Sequence, residues 1–242
     1  MGVRSFRRAA VAAVVAAALG LTAGACSGGS GSGGSAQDAE LTAKTSPLAA
    51  TLAKLPARVE GAEIVVGDPK APHTVTVFED PRCPICRHFE EGGGVAVARL
   101  AAEGKVKVRY TLASFLDRNF GGSGSKSAVN AMRAAVDRGG FAEFHAAVFA
   151  SQPAEETDDA FTADNLLKIA AKVPGLRGAA FDKTVRDTAY KDFVSASEKA
   201  FEGSGFTGTP TVLIDGERPS GDGRAMLTAD AFQKVLADAG VS

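Results

Sequence analysis

Cys83 and Cys86 are separated only by Pro84 and Ile85, and two cysteines at that spacing suit thiol–disulfide exchange. A thiol attacks only as its thiolate, and a helix N-terminus stabilises a thiolate through unpaired backbone N–H groups and a partial positive charge. Pro84 belongs in a first helical turn, and Cys86, Phe89 and Glu90 follow without a breaker. Cys83 is therefore expected at a helix start with a lowered pKa, helped by the neighbouring Arg82 and Arg87. Cys86, one turn on, is placed to resolve a mixed disulfide. This makes Cys83 the expected nucleophile and Cys86 the resolving thiol. Half of a zinc site is a weaker reading, because zinc needs about four ligands, no second cysteine pair exists and His88 lies too close. A purely stabilising disulfide would close a loop too small to constrain much of the unfolded chain. The exchange chemistry needs neither metal nor organic cofactor.

Elements on either side must hold this motif. Glu63 to Val66 and Thr74 to Glu79 carry valine-rich runs bounded by turn residues and are predicted strands. The approach before them is polar and Ala-rich, without a clear element. Gly92, Gly93 and Gly94 predict a break in the helix that starts at Cys83, with a second piece over Val95 to Ala102. Lys105 to Leu112 alternates as a half-buried strand does. Helical spacing then extends from about Lys126 to Phe201, followed by a strand over Pro210 to Ile214, a turn at Asp215-Gly216 and a closing helix over Thr228 to Ala239. The expected class is α/β, with helices packed on a small sheet.

The segment Phe78-Glu79-Asp80-Pro81-Arg82-Cys83-Pro84-Ile85-Cys86-Arg87-His88-Phe89 resembles the active site of the DsbA-like thioredoxin-fold oxidoreductases. Gly205-Phe206-Thr207-Gly208-Thr209-Pro210-Thr211 resembles the loop in which those proteins hold a cis-proline against the two cysteines. The resemblance spans about Glu63 to Ala239 and implies a thioredoxin-like fold with a helical insertion between the third strand and the proline loop. It further implies that Pro210 is cis and that Thr209 offers its backbone to a substrate strand. Substrates would be exported proteins carrying thiols or disulfides, with a membrane redox partner. Two departures stand out. Val77 occupies the place, six residues before the first cysteine, where the family often has a buried acid, so a relay from that position is excluded. Glu79 or Asp80 is the candidate substitute for that acid, Glu79 sharing a strand face with Val77, but the favoured expectation is that both meet solvent, as charged residues at strand ends usually do. Ile85 replaces the histidine of the strongest oxidants in the family, which implies a less oxidising couple.

The remaining sequence gives an address. Arg4, Arg7 and Arg8 precede an apolar run from Ala9 to about Leu21, and Ala23, Gly24 and Ala25 lead into Cys26. That pattern reads as an export signal, too short and Ala-rich for a membrane span. Small residues before a cysteine resemble a bacterial lipobox, although Ala23 stands where leucine is usual. Residues 1–25 are thus the expected signal peptide, with Sec export favoured over twin-arginine export. Residues 26–44 are a lipidated Cys26 with a flexible Gly/Ser linker, and residues 45–242 are the folded domain. The protein is expected outside the cytoplasm, anchored to the bacterial cell membrane through Cys26. Across 242 residues the net charge is −1, which argues against a polyanion-binding surface, so no nucleic-acid partner is expected.

Other residues read as structural. His145 is a core histidine, His88 is exposed, and His73 has no partner suggested by spacing. Phe115, Phe120, Phe141, Phe144 and Phe149 are expected to fill the core, with one or two available to line a substrate groove near the motif, and Glu155-Glu156 with Asp158-Asp159 form a solvated acidic loop and helix start. A non-catalytic peptide-binding lipoprotein on the same scaffold, and a reductant for haem-protein maturation, are the competing functions.

Overall fold

β-Branched side chains suit a pleated surface, and the valine-rich runs form the middle of one sheet. The computed structural model describes residues 41–221 and 223–241. The expected signal peptide, the lipidation at Cys26 and most of the linker lie outside the described residues. Five strands, β1 (Ala57–Glu60), β2 (Glu63–Val66), β3 (His73–Glu79), β4 (Val106–Leu112) and β5 (Thr211–Ile214), run in the order β1-β2-β4-β3-β5. β3 and β4 are parallel, with Val75 opposite Val108 and Val77 opposite Tyr110. β5 pairs antiparallel with β3, setting Val77 opposite Val212 and Phe78 opposite Thr211. β3 alternates in exposure at its start but is wholly buried over Val77, Phe78 and Glu79. Its carboxyl end therefore enters the interior, where a site at the end of a parallel strand is expected.

Around this sheet lie α1 (Ala49–Leu52), α2 (Pro84–Glu91), α3 (Gly93–Ala102), α4 (Leu116–Phe120), α5 (Gly124–Val136), α6 (Phe141–Ala150), α7 (Ala163–Ala170), α8 (Ala179–Arg186), α9 (Lys191–Gly203) and α10 (Ala229–Asp238). α3 packs on α10, while α3 and α9 both lie against β4. The helical insertion, α5 to α8, is a bundle built largely around α5. The architecture is the expected thioredoxin-like α/β fold with a helical insertion.

Several elements differ from the sequence reading. The approach before β2 contains β1, which makes a hairpin with β2 through a tight turn at Gly61, φ +61°. Its four residues are all half-buried, so no clean alternation marked it as a strand. The long helical stretch is five helices, α5 to α9. Gly139, at φ +71°, ends the first of them, and the Thr162 side chain accepts from Asn165 N to start α7. The break after α2 falls at Gly92, φ −114° and ψ −99°, and α3 starts at Gly93 rather than Val95. Both glycines are forced by close approach: a Cβ on Gly92 would sit 2.2 Å from Leu227 O and one on Gly93 2.5 Å from Met226 O. The short 3₁₀ turn over Arg224–Leu227 presses its backbone onto the kink.

The packed body also begins before residue 45. Leu41 is buried with Leu52 and Leu55, and Lys44 N donates to Ser151 Oγ at 2.8 Å. Phe141, Phe144 and Phe149 fill the core as expected, whereas Phe115 is only partly buried and Phe120 is 41% exposed. Phe120 ends the one-turn helix α4, whose buried residues are Leu116 and Asp117. Among the described residues, no helix is long and apolar enough to cross a membrane.

Candidate active site

A turn at Pro81-Arg82 lifts the chain out of β3, and Cys83 N donates to Asp80 O at 2.9 Å to close it. Cys83 is the N-cap of α2, with extended backbone angles and Pro84 in the first turn. Gln152, from the loop after α6, fixes this entry by donating through Nε2 to Pro81 O at 2.6 Å and Cys83 O at 3.0 Å. Opposite, the Thr209–Pro210 peptide is cis, and Thr209 O accepts from Cys83 Sγ at 3.4 Å. The fold thus brings Cys83, Cys86, Thr209 and Pro210 to one place at the carboxyl end of β3.

The two sulfurs, both free thiols, are electrostatically unequal. Cys83 is lowered from 9.0 to about 6, chiefly by the hydrogen bond from the Cys86 thiol, aided by Thr209 and by the backbone N–H groups of Cys86 and Ile85, against the opposing effect of burial. Cys86 is wholly inaccessible, and burial, then its thiol's donation to Cys83, pushes its pKa well up. Near neutral pH the arrangement therefore presents one thiolate and one protonated thiol. Ile85 stands 48% exposed at the mouth of the site. Beside the cis-proline runs a groove lined by Pro210, Val212, Arg218, Pro219, Met226 and Phe232.

Arg82 does not join the thiolate as the sequence suggested. Its side chain is buried, and its guanidinium donates to Asp117 Oδ1 at 3.1 Å, Gly121 O at 2.7 Å and Glu156 O at 2.9 and 3.1 Å. It is an anchor between the turn before Cys83 and the loops around α4. Arg87 donates to Pro153 O at 3.4 Å.

Asp80 and Glu79 are buried too, against the expectation that a strand end meets solvent. Asp80 accepts from Arg82 N at 3.0 Å, Ser125 Oγ at 2.6 Å and Leu116 N at 3.1 Å, tying β3 to α4 and α5. Burial raises its carboxyl to about 7 against those hydrogen bonds. Glu79 lies deeper, hydrogen-bonded to His145 Nε2, with Glu90 nearby. His145 is a core histidine as expected, but one paired with an acid. The signal for Glu79 lay in strand alternation: Val75, Val77 and Glu79 share the core face.

The other sequence candidates lie apart. His88 is exposed. His73, for which spacing offered no partner, meets Asp215 at 2.8 Å across the β3–β5 edge. Within the acidic run, Asp159 accepts from Ser123 N at 3.0 Å and Gly124 N at 2.6 Å, and so caps α5 rather than starting the next helix.

The sequence model of the family described as Thioredoxin matches residues 60–238. Similar solved structures include the thiol-disulfide oxidoreductase MdbA from Actinomyces oris, at 23% identity and TM-score 0.62 over 73% of this chain and 85% of that one. BdbD from Bacillus subtilis matches at 19% identity and TM-score 0.62, covering 76% and 97%. Reduced DsbA from Mycobacterium tuberculosis matches at 24% identity and TM-score 0.55, covering 72% and 93%. No curated protein matches by sequence.

Proposed function

The chain belongs to the thioredoxin family, and from that premise we propose that it is an extracytoplasmic thiol–disulfide oxidoreductase acting on exported proteins. The observation that carries this reading is the placing of the two sulfurs, Cys83 capping α2 with its Sγ 3.4 Å from Thr209 O and Cys86 wholly buried one turn on, an inequality that lowers the Cys83 thiol to about 6 and raises Cys86. In one direction, the Cys83 thiolate attacks a substrate disulfide, forming a Cys83–substrate bond and releasing one substrate thiolate. Cys86 then attacks Cys83 Sγ, closing the Cys83–Cys86 disulfide, and the second substrate sulfur leaves as a thiol after taking a proton. In the other direction the same steps reverse, and the substrate is oxidised. Thr209 and Pro210 border the sulfur, where an extended substrate segment would align its backbone, and the apolar groove beside Pro210 would take neighbouring side chains.

Which direction prevails depends on the couple's potential against its membrane redox partner, where 30 mV is worth about 1.4 kcal/mol. A hydrogen bond to a thiolate favours the reduced form, and Ile85, which stands where the strongest oxidants of the family have histidine, donates none. A couple less oxidising than the extreme of the family follows.

The address belongs to the same proposal: cleavage after Ala25 and diacylglyceryl transfer to Cys26, with residues 27–40 as tether. Two acyl chains suffice for stable anchoring. Mass spectrometry of membrane-extracted protein should find a lipid-modified peptide starting at Cys26, and an unmodified mature N-terminus would remove the anchor from the proposal.

The deciding experiment is iodoacetamide labelling of the reduced protein against pH, with an equilibrium redox titration. Cys83 should label with a midpoint near pH 6 and Cys83→Ala should abolish exchange. Labelling no faster at pH 7 than a free cysteine peptide, or exchange surviving Cys83→Ala, would leave a peptide-binding scaffold as the better reading.

A further inference from the structure

Two carboxyls meet in the interior behind the motif helix. Glu79, at the end of β3, is 0% exposed, and the side chain of Glu90, in the last turn of α2, is 9% exposed. The two groups touch directly, and among the described residues no donor reaches Glu79 Oε2 or Glu90 Oε1. Acceptors pressed together in a dry interior need a proton or a cation between them, because buried charges are paired or coordinate metals.

His145 of α6 supplies a third group. Its Nε2 contacts Glu79 Oε1, and its Nδ1 lies 3.8 Å from Glu90 Oε2. One ligating atom from each of the three side chains lies within 4.8 Å of the other two. Four-coordinate zinc, with bonds of about 2.0–2.2 Å to nitrogen and carboxylate oxygen, sets its ligands about 3.3 Å apart, so modest side-chain rotations close such a shell. Aromatic rings hold the imidazole in its plane, with Tyr110 at 4.5 Å, Phe149 at 5.1 Å and Phe141 at 5.3 Å between centroids. Gly94 leaves the Glu90 carboxyl its room, since a Cβ there would sit 3.1 Å from Oε2. A cavity of about 30 Å³ reaches Glu90 and His145, which is space for one water as a fourth ligand.

We propose that Glu79, Glu90 and His145 form a binding site for one divalent transition-metal ion of the Zn²⁺ class. The donor set selects that class. Two carboxylates cancel the charge of a dication, and an imidazole beside them suits zinc or its neighbours. Calcium takes about 6–8 oxygen ligands, more than the cluster offers. No thiolate is among the three donors, so both cysteines stay free.

The ion would join three elements, β3, α2 and α6. Cys86 and Glu90 stand four residues apart on α2 and so share one helix face. An ion held by Glu90 therefore pins the helix that carries both sulfurs to the sheet and to the insertion. The inference goes beyond the oxidoreductase reading and does not depend on it.

The test is a zinc titration of the chelator-stripped full chain carrying Cys26→Ser, with the Cys83–Cys86 disulfide closed. Of the three cysteines, none then remains free to ligate. Calorimetry should find one equivalent of Zn²⁺ bound, and the melting temperature should rise as zinc is added. Co²⁺ in its place should give the visible absorption of a four-coordinate site with nitrogen and oxygen donors. Glu90→Gln and His145→Gln should each weaken binding by about tenfold or more. His73→Gln, at the surface pair with Asp215, should leave it unchanged. The cobalt spectrum of the chain without these substitutions carries the test if neither site variant folds. No bound equivalent, a six-coordinate cobalt spectrum, binding lost with His73→Gln, or binding undiminished in Glu90→Gln and His145→Gln would overturn the site and leave the two carboxyls sharing a proton. Because the disulfide stays closed throughout, none of these outcomes bears on the exchange chemistry.

Discussion

The stability of the reduced protein should carry the mark of the Cys83 thiolate. A thiol lowered from 9.0 to about 6 stabilises the folded, reduced state fully above pH 9 and loses that contribution as pH falls through 6. At about 1.4 kcal/mol per tenfold, the contribution is on the order of 4 kcal/mol. Denaturant titrations of the reduced protein and of Cys83→Ser should therefore diverge from pH 5 to pH 8, and parallel curves would contradict the lowered thiol. Cys86→Ser should trap the mixed disulfide on Cys83, visible by mass spectrometry. The anchor beside the motif is testable separately. Arg82→Met takes the guanidinium from Asp117, whose side chain is 1% exposed and which keeps only the Ser125 and Lys126 backbone donors, and removing one partner of such a buried pair costs about 3–5 kcal/mol. Loss of that size in a thermal or denaturant melt, with the Cys83 titration unmoved, would separate anchoring from thiolate stabilisation. At this scale the cysteine pair was readable as a local pattern, and the proline loop through its resemblance to that of the DsbA-like proteins. The sequence misplaced Arg82, which lies next to Cys83 in the chain but is bound by segments 35 to 74 residues away.

The kink between α2 and α3 shows what the elements add. Three successive glycines made a break predictable, since each costs about 1 kcal/mol in a helix interior. Why the break is required became visible only with the backbone of residues 224–227 lying against it. Gly92→Ala should therefore cost more than helix propensity explains: propensity alone would favour Ala, whereas a Cβ 2.2 Å from a carbonyl oxygen forces backbone movement worth about 1–3 kcal/mol. A melt showing Gly92→Ala neutral or stabilising would refute the close approach. β1 illustrates the converse. It is held by a hairpin with β2 rather than by its own pattern, so propensity had little to register.

Across the whole molecule, the N-terminal segment closes the core over the buried cluster rather than merely linking the domain to its expected tether. Leu41, Leu52 and Leu55 are buried there, and Leu52 and Leu55 help line the cavity beside Glu90 and His145. Burying each leucine contributes about 1.5–3 kcal/mol, so the three together rival the 5–15 kcal/mol, roughly, by which a domain is stable. A chain starting at residue 61 should melt far below one starting at residue 36, or fail to fold. Equal melting temperatures would show that residues 41–60 only decorate the domain. The helical segment α5 to α9 contributes at the same scale: His145, Gln152 and Glu198 all come from it, and each grips the sheet or the motif through contacts 66 to 84 residues away in sequence.

By itself the sequence determined the two sulfurs, the helix start at one of them and the α/β order of elements, while the proline loop came from the family resemblance. The first three depend on neighbours a few residues apart, and propensity, turn chemistry and spacing report such neighbours directly. The tertiary structure alone decided that Glu79 and Asp80 are buried, that Arg82 turns away from the thiolate and that His145 bridges two acids. The state of an ionisable group depends on the water removed from it and on the partners brought to it. Here the insertion and the loops around α4 supply both from distant parts of the chain.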